Sequence, residues 1–104
     1  MIKISVLYKN AENATFDIDY FMNSHIPLLK SLVGDKVKSM AVEQGIGGGP
    51  APGSPAPFVA MAHLYFENMD DFQASMAAGS QAIMNDIPNY TNCEPVIQIS
   101  QVLL

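Results

Sequence analysis

The spacing of hydrophobic residues in this chain changes from two to three or four and back again, and it does so twice. Residues 2–8 repeat with a period of two, which is typical of a β-strand with one buried face. Between residues 18 and 32 the apolar side chains recur at intervals of three and four, which indicates a helix with one apolar stripe. The pattern predicts the order strand, helix, strand, strand, helix, strand, with strands at 2–8, 37–44, 58–66 and 96–103.

The first helix has a recognisable start and one irregular point. Thr15 is a candidate N-cap, and Asp17 and Asp19 follow where carboxylates complement the positive end of the helix dipole. Pro27 lies inside the helix and removes a backbone donor, so it predicts a kink. The kink is expected beside His25, which interrupts the apolar stripe.

The second helix is predicted to be less regular than the first. Asn68 is a candidate N-cap, and Gly79 predicts a break or a bend, followed by a short helical turn at residues 80–85. Residues 45–57 are rich in glycine and proline and predict a flexible connection between two strands, near the mouth of a cavity.

The composition predicts a single domain, residues 1–104, with more apolar surface than its size can hide. Hydrophobic residues make up 49% of the chain and charged residues 14%. The formal net charge is −5, with five lysines and no arginine, which argues against a nucleic-acid partner. No long apolar run or leader pattern is present, and the single Cys93 agrees with a reducing cytosol, so we expect a cytoplasmic protein.

The strand at residues 58–66 looks buried on both faces, which bears on assembly. Two helices cover only one face of a four-stranded antiparallel sheet, so this α+β arrangement leaves the other face open. A second copy of the sheet laid face to face would bury it, giving a homodimer with a barrel-like interior. The residues expected on the open face are Val59, Met61, His63, Tyr65, Ile97, Ile99 and Leu103.

Three segments resemble the EthD family of dimeric α/β barrel proteins. They are the opening strand MIKISVLY, the segment TFDIDYFMNSHIPLL, and DDFQASMAAG followed by DIPNYT. The resemblance implies a ferredoxin-like βαββαβ monomer that pairs through its sheet. Relatives in the wider superfamily include muconolactone isomerases, cofactor-free monooxygenases and polyketide cyclases or decarboxylases, so the resemblance implies a fold more firmly than a reaction.

His25 is the candidate catalytic residue. An imidazole on an apolar stripe can serve as a general acid or base near neutral pH, and the resemblance implies a histidine next to a proline at this helix position. The alternative is a core histidine hydrogen-bonded to backbone.

Five further side chains are candidates for substrate binding. Tyr20 lies on a different part of the helix surface from His25, and His63 also suits plain packing at a dimer seam. The full set is Tyr20, Met22, His63, Tyr65 and Tyr90.

No metal or cofactor is predicted. His25 and His63 are the only histidines, Cys93 is isolated, and the glycines of residues 45–49 are not followed by a lysine as in a phosphate-binding loop. Some superfamily relatives handle haem, but nothing in the chain favours it.

Two functional hypotheses of different classes follow. The first is a cofactor-free enzyme of isomerase, cyclase or lyase type that acts on a small hydrophobic or aromatic oxygenated compound, with His25 moving a proton. Such compounds belong to catabolic or secondary-metabolite pathways. The second is a non-catalytic binding or accessory protein that serves a partner oxygenase with the same pocket.

Overall fold

The computed structural model describes residues 1–104 as a four-stranded sheet with two helices. The predicted element order is confirmed, and β2 and β3 begin and end at the predicted residues. The strands are β1 (Ile2–Lys9), β2 (Val37–Gln44), β3 (Phe58–Phe66) and β4 (Pro95–Gln101). Helix α1 covers residues 18–33, helix α2 is Met69–Asp86, and short 3-10 turns follow them at Gly34–Lys36 and Ile87–Asn89.

The sheet is antiparallel with the strand order β2-β3-β1-β4. Ile4 on β1 is paired with Leu64 on β3 and with Ile99 on β4, and paired residues share a face of the sheet. Both helices pack on this side, which we call the helix face. Its buried side chains and those of α1 form most of the core, namely Ile4, Tyr8, Phe21, Ile26, Leu29, Val33, Ala60, Ala62, Leu64 and Phe66.

The opposite side of the sheet, here called the open face, carries the alternate residues of β1 and β3. Met61, His63 and Tyr65 are half-buried there. Ile97 and Ile99 are not among them, because they pair with Val6 and Ile4 and therefore belong to the helix face. Their predicted place on the open face is wrong, since a shift of one residue along a strand moves a side chain to the other side.

Helix α1 begins later than predicted. The Asp17 carboxylate, and not Thr15, caps it by accepting a hydrogen bond of 3.0 Å from the backbone N–H of Tyr20. The backbone of Thr15 is used elsewhere, since its N–H donates to Asn92 and its carbonyl accepts from Thr91. Residues outside the helix thus tie its start to the segment that precedes β4.

A π-helical turn at Phe21–His25 interrupts α1 between α-helical segments at Ile18–Tyr20 and Ile26–Val33. The backbone N–H of Ile26 donates to the Phe21 carbonyl, five residues earlier. Pro27 follows in the first turn of the next α-helical segment. The irregularity beside His25 takes the form of this wide turn, a feature that recurs at functional sites.

Helix α2 is continuous through Gly79, so the predicted break there is wrong. Asn68 caps the helix as predicted, accepting a hydrogen bond of 2.9 Å from the Asp71 N–H. A Cβ atom at position 79 would lie 2.7 Å from the Cβ of Leu32 on α1. Gly79 therefore serves the close approach of the two helices and does not end α2.

Residues 45–57 form a loop at the far edge of the sheet from β4. An isolated antiparallel bridge joins Gly48 and Ser54, and the Asn10 N–H donates to the Pro57 carbonyl. None of these residues lines the cavity between the helices and the sheet described below, but Gly45, Ile46, Pro55 and Ala56 line an open depression beside the end of β2. No helix of the protein has both the length and the apolar character needed to cross a membrane.

Candidate active site

A cavity of about 150 Å³ lies between the two helices and the helix face of the sheet. Fifteen of its eighteen lining residues are hydrophobic. Ser80, Met84 and Ile97 line it and are also exposed, which places the mouth between α2 and the edge strand β4. The deeper walls come from both helices and the sheet, and include Phe21, Ile26, Leu29, Leu64, Phe72, Met76 and Ile83.

His25 brings an imidazole to this apolar wall, and both of its ring nitrogens are hydrogen-bonded. Nδ1 lies 2.9 Å from Oδ2 of Asp86, and Nε2 lies 3.3 Å from the hydroxyl oxygen of Tyr90. A carboxylate only accepts hydrogen bonds, so Nδ1 carries the proton and donates it to Asp86. In a neutral imidazole Nε2 then holds the lone pair and accepts from the Tyr90 hydroxyl.

Asp86 is the last residue of α2, and its carboxylate accepts hydrogen bonds from three side chains. Oδ1 lies 2.6 Å from the Tyr20 hydroxyl and 3.0 Å from the Asn89 amide nitrogen, while Oδ2 faces His25. Partial burial by itself raises the pKa of Asp86, but the hydrogen bonds from Tyr20, Asn89 and His25 outweigh it and hold that pKa below its usual value. Asp86 is therefore an ionised partner that fixes the orientation of the imidazole.

Tyr90 and Tyr8 extend the hydrogen-bonded chain from His25 to the sheet. Their hydroxyl oxygens lie 2.8 Å apart, and both residues are buried. Burial raises the pKa of Tyr90, and the neighbouring Tyr8 and Asp86 raise it further. Burial also raises the pKa of Tyr8, with a smaller opposing effect from its hydrogen bond to Tyr90. Both phenols therefore stay protonated and act as hydrogen-bonding groups.

Aromatic rings hold the imidazole in place on two sides. The ring of Phe21 is stacked on His25, with 5.6 Å between centroids and an interplanar angle of 14°. The ring of Tyr90 lies tilted against His25, with centroids 4.6 Å apart. Phe21 and His25 are separated by the π-helical turn, which places both rings on the buried side of α1.

The four residues joined by these hydrogen bonds come from distant parts of the sequence. His25 lies on the π-helical turn of α1, Asp86 ends α2, and Tyr90 follows the 3-10 turn at Ile87–Asn89. Tyr8 stands on the helix face of β1, in the centre of the sheet. These four residues meet because β1 passes beneath α1 and the end of α2.

The structure places the predicted site residues in three separate regions. His25 lines the cavity. Tyr90 is hydrogen-bonded to His25, and Tyr20 is linked to His25 through the Asp86 carboxylate. The other predicted binding residues lie outside the cavity: Met22 lies in a small depression beside β2, Tyr65 is on the open face, and His63 is on that face between Ser5 and Glu43.

Asp86 was missed by the sequence analysis as a site residue, although it begins the segment DIPNYT that carries Tyr90. The apolar cavity residues of α2 were missed as a group. In the sequence they are marked only by the apolar stripe of the second helix, which includes Phe72 and Met76 and is equally typical of ordinary core packing. No group of three or more histidine, cysteine or acidic side chains is arranged to hold a metal ion.

The comparison with solved structures supports the fold and identifies a near relative. An EthD-like protein from Ralstonia eutropha is 38% identical, with a TM-score of 0.92, covering 99% of this chain and 92% of that chain. An ethyl tert-butyl ether D (EthD) family protein from Bacillus halodurans is 21% identical, with a TM-score of 0.75 and 99% of both chains covered.

This second structure shows the fold alone, and so does a more distant one. A dimeric ferredoxin-like protein of unknown function from Thermobifida fusca is 16% identical, with a TM-score of 0.62, covering 97% of this chain and 90% of that chain. The predicted ferredoxin-like fold is confirmed. No curated protein sequence matches the chain. A family model described as the EthD domain matches residues 11–93, and with the near relative from Ralstonia this shows that the chain belongs to the EthD family.

Proposed function

We propose that this protein catalyses a proton transfer on a small apolar oxygenated compound, in an isomerisation, cyclisation or lyase step that needs no cofactor. His25 is the acid and base of the reaction. Asp86 is a positioning residue that fixes the imidazole and stabilises the imidazolium formed when His25 takes a proton. Compounds of this type occur in catabolic and secondary-metabolite pathways.

The observation that carries the proposal is the His25–Asp86 pair in the wall of an apolar cavity. His25 is only 3% exposed, yet it lines the space and is held by a carboxylate at 2.9 Å. A carboxylate behind an imidazole is the arrangement by which enzymes set the tautomer of a general base. A core histidine bonded to backbone, the alternative considered from the sequence, has neither of these features.

The cavity also limits the substrate. Its volume of about 150 Å³ is on the scale of a site that holds one benzene-sized ring. Its lining offers dispersion contacts and few hydrogen-bonding groups, namely those of His25, Tyr8 and Ser80. We therefore expect a single ring or a short chain with one or two oxygen atoms, such as a lactone, a phenol or a cyclic ketone.

We also propose that the working unit is a homodimer formed through the open face. Apolar side chains there, among them Leu7, Val59 and Met61, are only half-buried in one chain. Structures with the same fold from Thermobifida fusca and Bacteroides fragilis are described as dimeric. Burial of an apolar sheet face is a strong driving force for such pairing.

A second candidate function is a non-catalytic carrier of the same class of compound. It is favoured by the dominance of hydrophobic residues in the cavity lining, which suits binding without chemistry. A carrier serving a partner oxygenase would use the same mouth between α2 and β4.

Exchange of carbon-bound protons for deuterium separates the two candidates. The probes are cyclohexanone and γ-butyrolactone, dissolved in heavy water. NMR follows the loss of proton signal from the carbons next to the carbonyl, which reports proton abstraction whether or not the probes are physiological substrates. We expect the wild-type protein to accelerate exchange, and His25→Gln to lower the rate by about a hundredfold or more while its melting temperature stays close to wild type.

The controls decide what a negative result means. Ser75→Ala removes a buried hydroxyl that lies outside the cavity and should exchange at the wild-type rate. Binding of both probes without accelerated exchange would favour the carrier and contradict the enzyme. An unaltered rate in folded His25→Gln would remove His25 from the reaction.

A further inference from the structure

The hydrogen bonds around His25 leave it no free nitrogen to offer a ligand in the cavity. Nδ1 is bonded to Asp86 and Nε2 to Tyr90, so both nitrogens of this cavity-lining residue already have partners within the protein. Tyr90 does not line the cavity. Direct contact between a substrate and a basic nitrogen would require one of these bonds to break first.

Of the two tyrosines that extend the hydrogen bonds from His25, Tyr8 is the one that lines the cavity. Its oxygen is 2.8 Å from that of Tyr90, which in turn is 3.3 Å from Nε2 of His25. Asp86, His25, Tyr90 and Tyr8 thus form a row in which each contact joins a hydrogen-bond donor to an acceptor. The row leads from the ionised carboxylate to the cavity wall. Resting on the proposed function, we infer that Tyr8 is the residue that exchanges a proton with the substrate, and that Tyr90 relays the proton between Tyr8 and His25.

The direction of the hydrogen bonds explains how one proton moves along this row. With His25 neutral, Tyr8 donates to Tyr90 and Tyr90 donates to Nε2, so the lone pairs of the Tyr8 oxygen are free to accept a proton. When a substrate C–H or O–H bond breaks, its proton bonds to Tyr8, the Tyr8 proton passes to Tyr90, and the Tyr90 proton passes to Nε2.

The result is an imidazolium paired with Asp86 and a substrate anion, so charge and atoms balance without an oxidant or reductant. The hydrogen bonds between His25, Tyr90 and Tyr8 then point the other way, while Nδ1 of His25 still donates to Asp86. Tyr8 now donates into the cavity as an acid. Return of the proton to a different substrate atom completes an isomerisation and restores the first arrangement. Neither tyrosine needs to exist as a free anion, because the three transfers occur together.

The test uses the same exchange reaction with Tyr8→Phe and Tyr90→Phe, which each remove one oxygen and keep the ring. Both variants should fold, lose about a hundredfold or more of the wild-type exchange rate on cyclohexanone, and bind the probe with nearly unchanged affinity. The double variant should be no slower than either single variant, since members of one relay act as a unit. Ser75→Ala is again the control for loss of a buried hydroxyl.

The outcomes separate this inference from the proposed function. Wild-type exchange that is lost in His25→Gln but kept in Tyr8→Phe would overturn the relay and leave His25 as the direct base. Loss in Tyr8→Phe with a normal rate in Tyr90→Phe would also overturn it, because Tyr8 would then act without His25. No exchange by the wild-type protein on either probe would contradict the proposed function, and the relay with it.

Discussion

The Nδ1 atom of His25 lies 2.9 Å from the Oδ2 atom of Asp86, a residue 61 positions later in the chain. The first belongs to the π-helical turn of α1 and the second to the last turn of α2. Because Asp86 accepts but never donates, this contact decides which nitrogen of the ring carries its proton. The orientation of the candidate base thus depends on how the two helices pack.

Replacement of Asp86 by asparagine tests this dependence. Asp86→Asn keeps the size of the side chain but allows its amide to donate to Nδ1, which favours the wrong tautomer of His25. We expect the exchange rate to fall by about a hundredfold or more with a small change in melting temperature. Asp70→Asn, at the exposed start of α2, is the matched control. A normal rate in Asp86→Asn would show that the carboxylate does not position the base.

Removal of the Tyr20 hydroxyl should shift the acid sensitivity of the fold. The folded pKa of Asp86 lies below its ordinary value of 3.8, so its contribution to stability is present above that pH and is lost as the pH falls through the lower folded pKa. Tyr20→Phe deletes a hydrogen bond of 2.6 Å to this carboxylate. The pKa of Asp86 should then rise, and its stabilisation should be lost at higher pH than in the wild type.

Carboxyl NMR titration and the midpoint of acid unfolding measure the two effects of Tyr20→Phe. Ser31→Ala, which removes an exposed hydroxyl of α1, should change neither quantity. An unchanged Asp86 titration in Tyr20→Phe would show that this hydrogen bond does not stabilise the carboxylate.

Gly79→Ala should destabilise the protein even though alanine is the better helix former. The new Cβ would lie 2.7 Å from the Cβ of Leu32, so α1 and α2 must move apart. The clash should lower the free energy of unfolding by about 1–3 kcal/mol, against a gain of about 1 kcal/mol in helix propensity, so we expect a net loss of up to about 2 kcal/mol. Urea unfolding measures it, and the further change Leu32→Ala should recover part of the effect of the clash. A more stable Gly79→Ala would contradict the close packing.

Met61→Glu should weaken the proposed dimer, because it would bury an unpaired carboxylate on the open face. We expect the dissociation constant to rise at least about tenfold, as measured by light scattering over a dilution series. Ile46→Glu makes the same kind of change at a fully exposed loop position and should leave association unchanged. A wild-type protein that is monomeric at micromolar concentration would contradict the dimer itself.

The sequence by itself determined the order of the elements and the limits of β2 and β3. Gly45 follows β2 and Pro57 precedes β3, and alternation along β3 separates a buried face from a half-buried one. The cap at Asn68 and the resemblance to the EthD family were also contained in short segments of the chain. These features depend on neighbouring residues, so local patterns are enough to predict them.

The tertiary structure decided the features that need residues far apart in the chain to meet. Gly79 continues a helix and does not break it, because Leu32 of α1 occupies the space where a side chain would stand. Ile97 and Ile99 belong to the helix face because the β1–β4 register places them opposite Val6 and Ile4.

The candidate site depends on tertiary structure in the same way. His25 was visible as a polar residue on an apolar stripe, but its bonds to Asp86 and Tyr90 span 61 and 65 positions. No periodicity within one segment encodes such a contact, because it exists only once α1, the end of α2 and β1 are packed together. The sequence therefore supplied the imidazole, and the packing of the helices on the sheet supplied its partners and its cavity.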